Sequence, residues 1–128
     1  MSPSKKSVDS WLQRNTGLLR IVGIRLTSVQ FTLNYLILGF DQKGALTTLV
    51  WPEVIQGNQV MRFGDAGYRD RLCELMDQVV TSAAIDAQDS IDIHFGTGTS
   101  HLHIPLRTYA GRGDRAILTG PRHYLQVL

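Results

Sequence analysis

Four residues between positions 90 and 106 are of the types that ligate metals or move protons: Asp92, His94, His101 and His103. They lie in two runs of alternating polarity, Ser90–Phe95 and Ser100–Leu106, separated by Gly96-Thr97-Gly98-Thr99. Read as a hairpin with that loop, the register sets Phe95 opposite Ser100, His94 opposite His101 and Asp92 opposite His103. Strand side chains alternate, so these four point to one face. Ile91, Ile93, Phe95, Leu102 and Ile104 point to the other. Three imidazoles and a carboxylate form a candidate ligand set for zinc or iron, and with it a small metal-dependent enzyme. The same alternation describes an amphipathic hairpin with one solvated face. A one-residue slip would divide the cluster between the two faces.

Other motifs carry less. Gly96-Thr97-Gly98-Thr99-Ser100 is glycine-rich, but a phosphate-cradling loop is followed by a helix and usually a lysine, and here a strand follows. Arg112-Gly113-Asp114 matches an adhesion tripeptide and also an ordinary hairpin tip. Cys73, the single cysteine, has no basic neighbour to favour a thiolate and reads as a packing residue.

The elements that must position these residues follow from periodicity. Tyr68, Leu72, Leu75, Met76 and Val79 form one apolar stripe at helical spacing, with Asp65 as N-cap. The spacing predicts a central amphipathic helix over about 65–80. Arg69, Asp70, Arg71, Glu74 and Asp77 take its outer side. Before it, strands are expected from Leu18 to Trp51, with turns at Leu33-Asn34 and Asp41-Gln42-Lys43-Gly44 and a stop at Pro52. A short strand, Gln59–Phe63, follows Gly57-Asn58. After it come Ser82–Ala87, the hairpin strands, Arg115–Thr119 and Tyr124–Leu128. Val8, Trp11 and Leu12 suggest a short N-terminal helix ending at Gly17. The expected fold is α+β: a mostly antiparallel sheet of about six to eight short strands with the helix packed on it. Residues 1–6 read as a tail and 7–128 as one domain.

Composition narrows the function classes. The chain is 43% hydrophobic and 19% charged, which suits a globule. No apolar run reaches membrane-spanning length. The two lysines near the start precede no apolar stretch, so no export signal is read there. With one cysteine as well, the expected location is the cytoplasm. Residues 1–25 carry five Lys/Arg against Asp9, and 107–128 carry four Arg against Asp114. Residues 41–92 carry nine acids against four bases. The basic and acidic blocks either form opposed faces or neutralise each other. The interleaved aromatic and basic pattern of a nucleic-acid platform is poor.

The run Tyr35-Leu36-Ile37-Leu38-Gly39-Phe40-Asp41, the helix start Gly67-Tyr68-Arg69-Asp70 and the turn Thr119-Gly120-Pro121-Arg122-His123 give the chain a layout that resembles small bacterial α+β proteins, including immunity proteins of toxin systems. The resemblance implies a non-catalytic protein-binding module that covers a cognate toxin by charge and shape. It assigns no residue. The acidic side chains Glu53, Asp70, Glu74 and Asp77 are the candidates for meeting a basic partner. The alternatives are the metal-dependent enzyme and a homo-oligomeric module joined through a sheet edge. No cofactor is expected other than that metal.

Overall fold

Alternating apolar residues oblige each strand to bury one face. A computed structural model, which describes residues 15–86, 88–96, 99–106, 116–121 and 124–128, shows where those faces meet. The strands are β1 (Ser28–Phe31), β2 (Leu36–Phe40), β3 (Gly44–Thr48), β4 (Glu53–Gln56), β5 (Gln59–Met61), β6 (Val80–Ile85), β7 (Ser90–Phe95), β8 (Ser100–Pro105), β9 (Ala116–Gly120) and β10 (Tyr124–Val127). They form two five-stranded sheets, ordered β1-β2-β3-β9-β10 and β5-β4-β8-β7-β6. Every pair is antiparallel.

The two sheets share one core. Leu36, Leu38, Phe40, Leu46 and Leu118 come from the first sheet, and Val54, Ile91, Ile93, Phe95, Leu102 and Ile104 from the second. Each is at most 2% exposed, and each such side chain contributes about 1.5–3 kcal/mol by leaving water. Residues 15–18 are helical and Leu19–Ile21 form a 3-10 turn. Leu18 and Ile21 enter the same core, and Arg20 lies 3.8 Å over the Tyr124 ring. Part of the expected N-terminal helix is therefore present, but it runs past Gly17. Its proposed start and the tail at 1–6 lie outside the described residues.

The chain leaves the first sheet where Thr48 is buried. Its hydroxyl donates to the Val50 carbonyl (2.6 Å) and accepts from the Val50 N–H (3.2 Å), so the buried oxygen is satisfied. Pro52 does not end a strand so much as precede one. The next residues, Glu53–Gln56, form β4, which the sequence reading missed, and Gly57 at φ 60° turns it into β5. Gly44 is required at the start of β3: a Cβ there would stand 2.4 Å from the Thr119 carbonyl oxygen.

The expected central helix is not present. Helix α1 spans only Tyr68–Cys73, and the described residues hold ten strands rather than six to eight. Its start is Gly67 in the left-handed region (φ 85°), not Asp65. The Asp65 carboxylate instead accepts the Arg62 N–H (2.8 Å) and closes a turn. At the other end the bonding tightens, with Leu75 N–H to Leu72 O, Met76 N–H to Cys73 O and Gln78 N–H to Leu75 O. Pairing with an earlier segment then captures the backbone. Asp77 N–H donates to Leu26 O, Leu26 N–H to Gln78 O and Val80 N–H to Ile24 O. Tyr68, Leu72 and Leu75 are buried as the stripe requires, but Met76 and Val79 are 38% and 39% exposed. No helix among the described residues is long and apolar enough to cross a membrane.

Candidate functional site

The β7–β8 pair has the register that the alternation implies: Asp92 opposite His103, His94 opposite His101, Phe95 opposite Ser100. Ile91, Ile93, Phe95, Leu102 and Ile104 are at most 1% exposed, so the inner set is fixed in the core. That anchoring forces the four polar residues onto the outer face together. Strands β4 and β6 extend the two rows. One runs Glu53–His103–Asp92–Ala84, the other Ile55–His101–His94–Ser82.

Within this array His103 Nδ1 and Asp92 Oδ1 are 2.8 Å apart, and His101 Nε2 approaches the same oxygen to 3.9 Å. The His94 and His101 rings stack at 4.5 Å. His101, His103 and Asp92 keep 23–29% of their side-chain exposure. Partial burial lowers the His101 pKa from its ordinary value. His94 and, less strongly, His103 act in the same direction, and Asp92 opposes them. The carboxylate orients the His103 ring through this contact. Among the described residues, no three His, Cys, Asp or Glu side chains are disposed to hold a metal ion. The four expected ligands thus share a face without forming a cage.

The four acidic residues expected to meet a partner are dispersed. Glu53 is ion-paired with Arg62 at 2.6 Å, Glu74 with Arg71 at 3.5 Å and Asp77 with Arg25 at 3.4 Å. Asp70 is exposed in α1. Three of these four acids are thereby paired with arginines. Cys73 is half-buried. Arg112-Gly113-Asp114 and the centre of the Gly96–Thr99 loop lie outside the described residues.

A second constellation was not anticipated. The rings of Trp51 and Phe63 stack at 4.3 Å with 16° between planes, and Phe31 continues the stack from Trp51 at 6.5 Å. Tyr68 meets Phe63 edge-on at 6.0 Å, and the Arg69 guanidinium lies 5.7 Å from the Phe31 ring. Phe63 is 49% exposed. It forms a wall common to two shallow clefts of about 290 and 310 Å³. The first is lined by Asp65, Tyr68, Arg69 and Asp70, the second by Leu49, Trp51, Glu53 and Arg62. The Tyr68 hydroxyl, buried beneath, donates to the Pro52 carbonyl and ties α1 to the entry of β4. The Gly57-Asn58 turn signal contained part of this arrangement. Carried outward, the β4–β5 register puts Arg62 opposite Glu53 and Phe63 opposite Pro52, one residue from Trp51.

Comparison with protein-family models, with curated proteins and with solved structures finds no match.

Proposed function

We propose that this protein is a non-catalytic protein-binding module whose contact surface centres on Phe63 and Trp51. The observation that carries the reading is their partly exposed stack, flanked by Arg62 and Arg69. Aromatic and arginine side chains are enriched at the centres of protein interfaces, where they bury large area at low entropic cost. Two of the four acidic candidates, Glu53 and Asp70, border this wall on opposite sides. They set its polar rim, and Glu74 and Asp77 line neither cleft. The finer reading, an immunity-type inhibitor that covers a cognate toxin in the cytoplasm, rests on the layout described for the sequence and on the single cysteine.

The test is quantitative co-purification of the tagged full chain from its native host, comparing wild type with Phe63→Ser and with Gln42→Ala on the exposed β2–β3 turn. One protein in near-equal amount should be retained by wild type and Gln42→Ala. Phe63→Ser should weaken it about thirtyfold, as expected for a hot-spot residue worth about 2 kcal/mol. A partner held equally by all three would reject this surface. For the finer reading, the captured protein must be a toxin that wild type inhibits and Phe63→Ser does not.

A further inference from the structure

We propose that the outer face of the first sheet is the interface of a homodimer. Two rows of five residues cross that face, one from each strand. One is Gln30–Ile37–Thr47–Ile117–Val127; the other runs from Ser28 through Gly39, Ala45 and Thr119 to Leu125. Not one of them is charged. An ordinary soluble surface carries charge at about three in ten positions. The outer face of the second sheet, with Glu53, Asp92 and three histidines, conforms to that habit. The contrast lies within one molecule, so composition does not explain it.

An uncharged sheet face pairs best with another uncharged face, since charged groups of a partner would lose hydration there and gain no counter-charge. A second copy supplies one. The face is also asymmetric in the way a two-fold contact uses. Leu125 is 63% and Val127 42% exposed at the β10 side, while Ser28, Gly39 and Ala45, the smallest side chains, lie toward the β1 side. Along the second row, a two-fold operation lays Leu125 of each copy over Ser28 and Gly39 of the other, satisfying both contacts at once.

The area sets the strength. Five strands at about 4.8 Å spacing and about five residues at 3.4 Å give a face of roughly 400 Å². Two such faces remove roughly 800 Å², or about 1,000 Å² with rim residues, which is the low end for a specific contact. The dimer is therefore weak, with a dissociation constant in the micromolar range or above. It uses neither Phe63 nor Trp51, so it stands or falls separately from the partner surface.

Sedimentation equilibrium of the full chain from about 1 μM to about 1 mM tests it. The wild-type mass should rise from monomer toward dimer. Thr47→Glu at the centre of the face and Leu125→Glu at its rim should each raise the dissociation constant at least about tenfold. Their melting curves in dilute solution should match wild type; Leu125 is exposed enough that its substitution leaves the fold intact. A wild-type monomer throughout would overturn the proposal. So would a dimer that survives both substitutions, which would use another surface. Dilute variants that melt early without a change of mass would mean that the chain itself covers this face, and would overturn it equally.

Discussion

Asp92 Oδ1 stands 2.8 Å from His103 Nδ1, directly across the β7–β8 pair. The pair is half-buried on a face whose reverse side is core, so the anchored strands keep the two residues opposite each other. A double-mutant cycle with Asp92→Asn and His103→Gln should give a coupling of about 0.5–1.5 kcal/mol by denaturant unfolding, the range of a net hydrogen bond. Additive single effects would mean that the contact contributes nothing.

The lowered His101 pKa makes stability depend on pH with a definite sign. The unfolded imidazole takes its proton near 6.5, before the folded one does. Stability is then complete above about pH 6.5 and declines as the pH falls below it toward the folded value. Thermal melts between pH 8 and pH 5 should show that decline, and His101→Gln should flatten it.

The individual contributions can be separated by following the His101 ring by NMR. His94 depresses its pKa and Asp92 raises it. His94→Gln should therefore move the midpoint up, and Asp92→Asn should move it down. Movement of both variants in one direction would contradict the stacked arrangement.

Tyr68→Phe isolates the anchor between α1 and β4. Burial, with Glu53 adding to it, holds the Tyr68 phenol far above its ordinary value of 10.0, so the hydroxyl stays a donor at every accessible pH. Its removal leaves the Pro52 carbonyl without that partner, at a cost of about 1–3 kcal/mol in unfolding free energy.

The length of α1 is open to a paired test. Leu72→Ala should cost about 2–5 kcal/mol, because Leu72 is fully buried. Met76→Ala, at 38% exposure, should stay within about 1 kcal/mol. A helix running to Val80 would instead bury both.

Periodicity read the outer and inner faces of β7 and β8 correctly because five core residues fix the register over two adjacent strands. It failed at the end of the helix for a physical reason. Asp77 adopts φ 74° and gives its N–H to Leu26, a residue distant in sequence. No local pattern of apolar residues records a competitor of that kind. The aromatic stack failed differently. Trp51 and Phe63 lie on either side of the β4–β5 hairpin, whose first strand goes unread when Pro52 is taken to end the strand before it. Once β4 is admitted, counting back from Gly57-Asn58 pairs Glu53 with Arg62 but sets Phe63 opposite Pro52, so the contact of the two rings needed the folded chain. The Arg25–Asp77 ion pair needed it too, since the two residues meet only through the Ile24–Leu26 pairing.

The order of strands also dictates a sequence of events in time. All of β4 to β8 lies between β3 and β9 in the chain, yet Thr47 and Ile117 are neighbours in register. Hairpins such as β4–β5 and β7–β8 close short loops and pay little chain entropy. Among the described strand ladders β3–β9 closes the longest loop, and that entropy is far smaller once the intervening strands have already collapsed into their sheet. The expected order is therefore the second sheet first, with the first sheet completed when β9 docks on β3, and φ-values along both sheets would check it. Substitutions along that joint, at Leu46 or Leu118, accordingly hasten unfolding more than they slow folding.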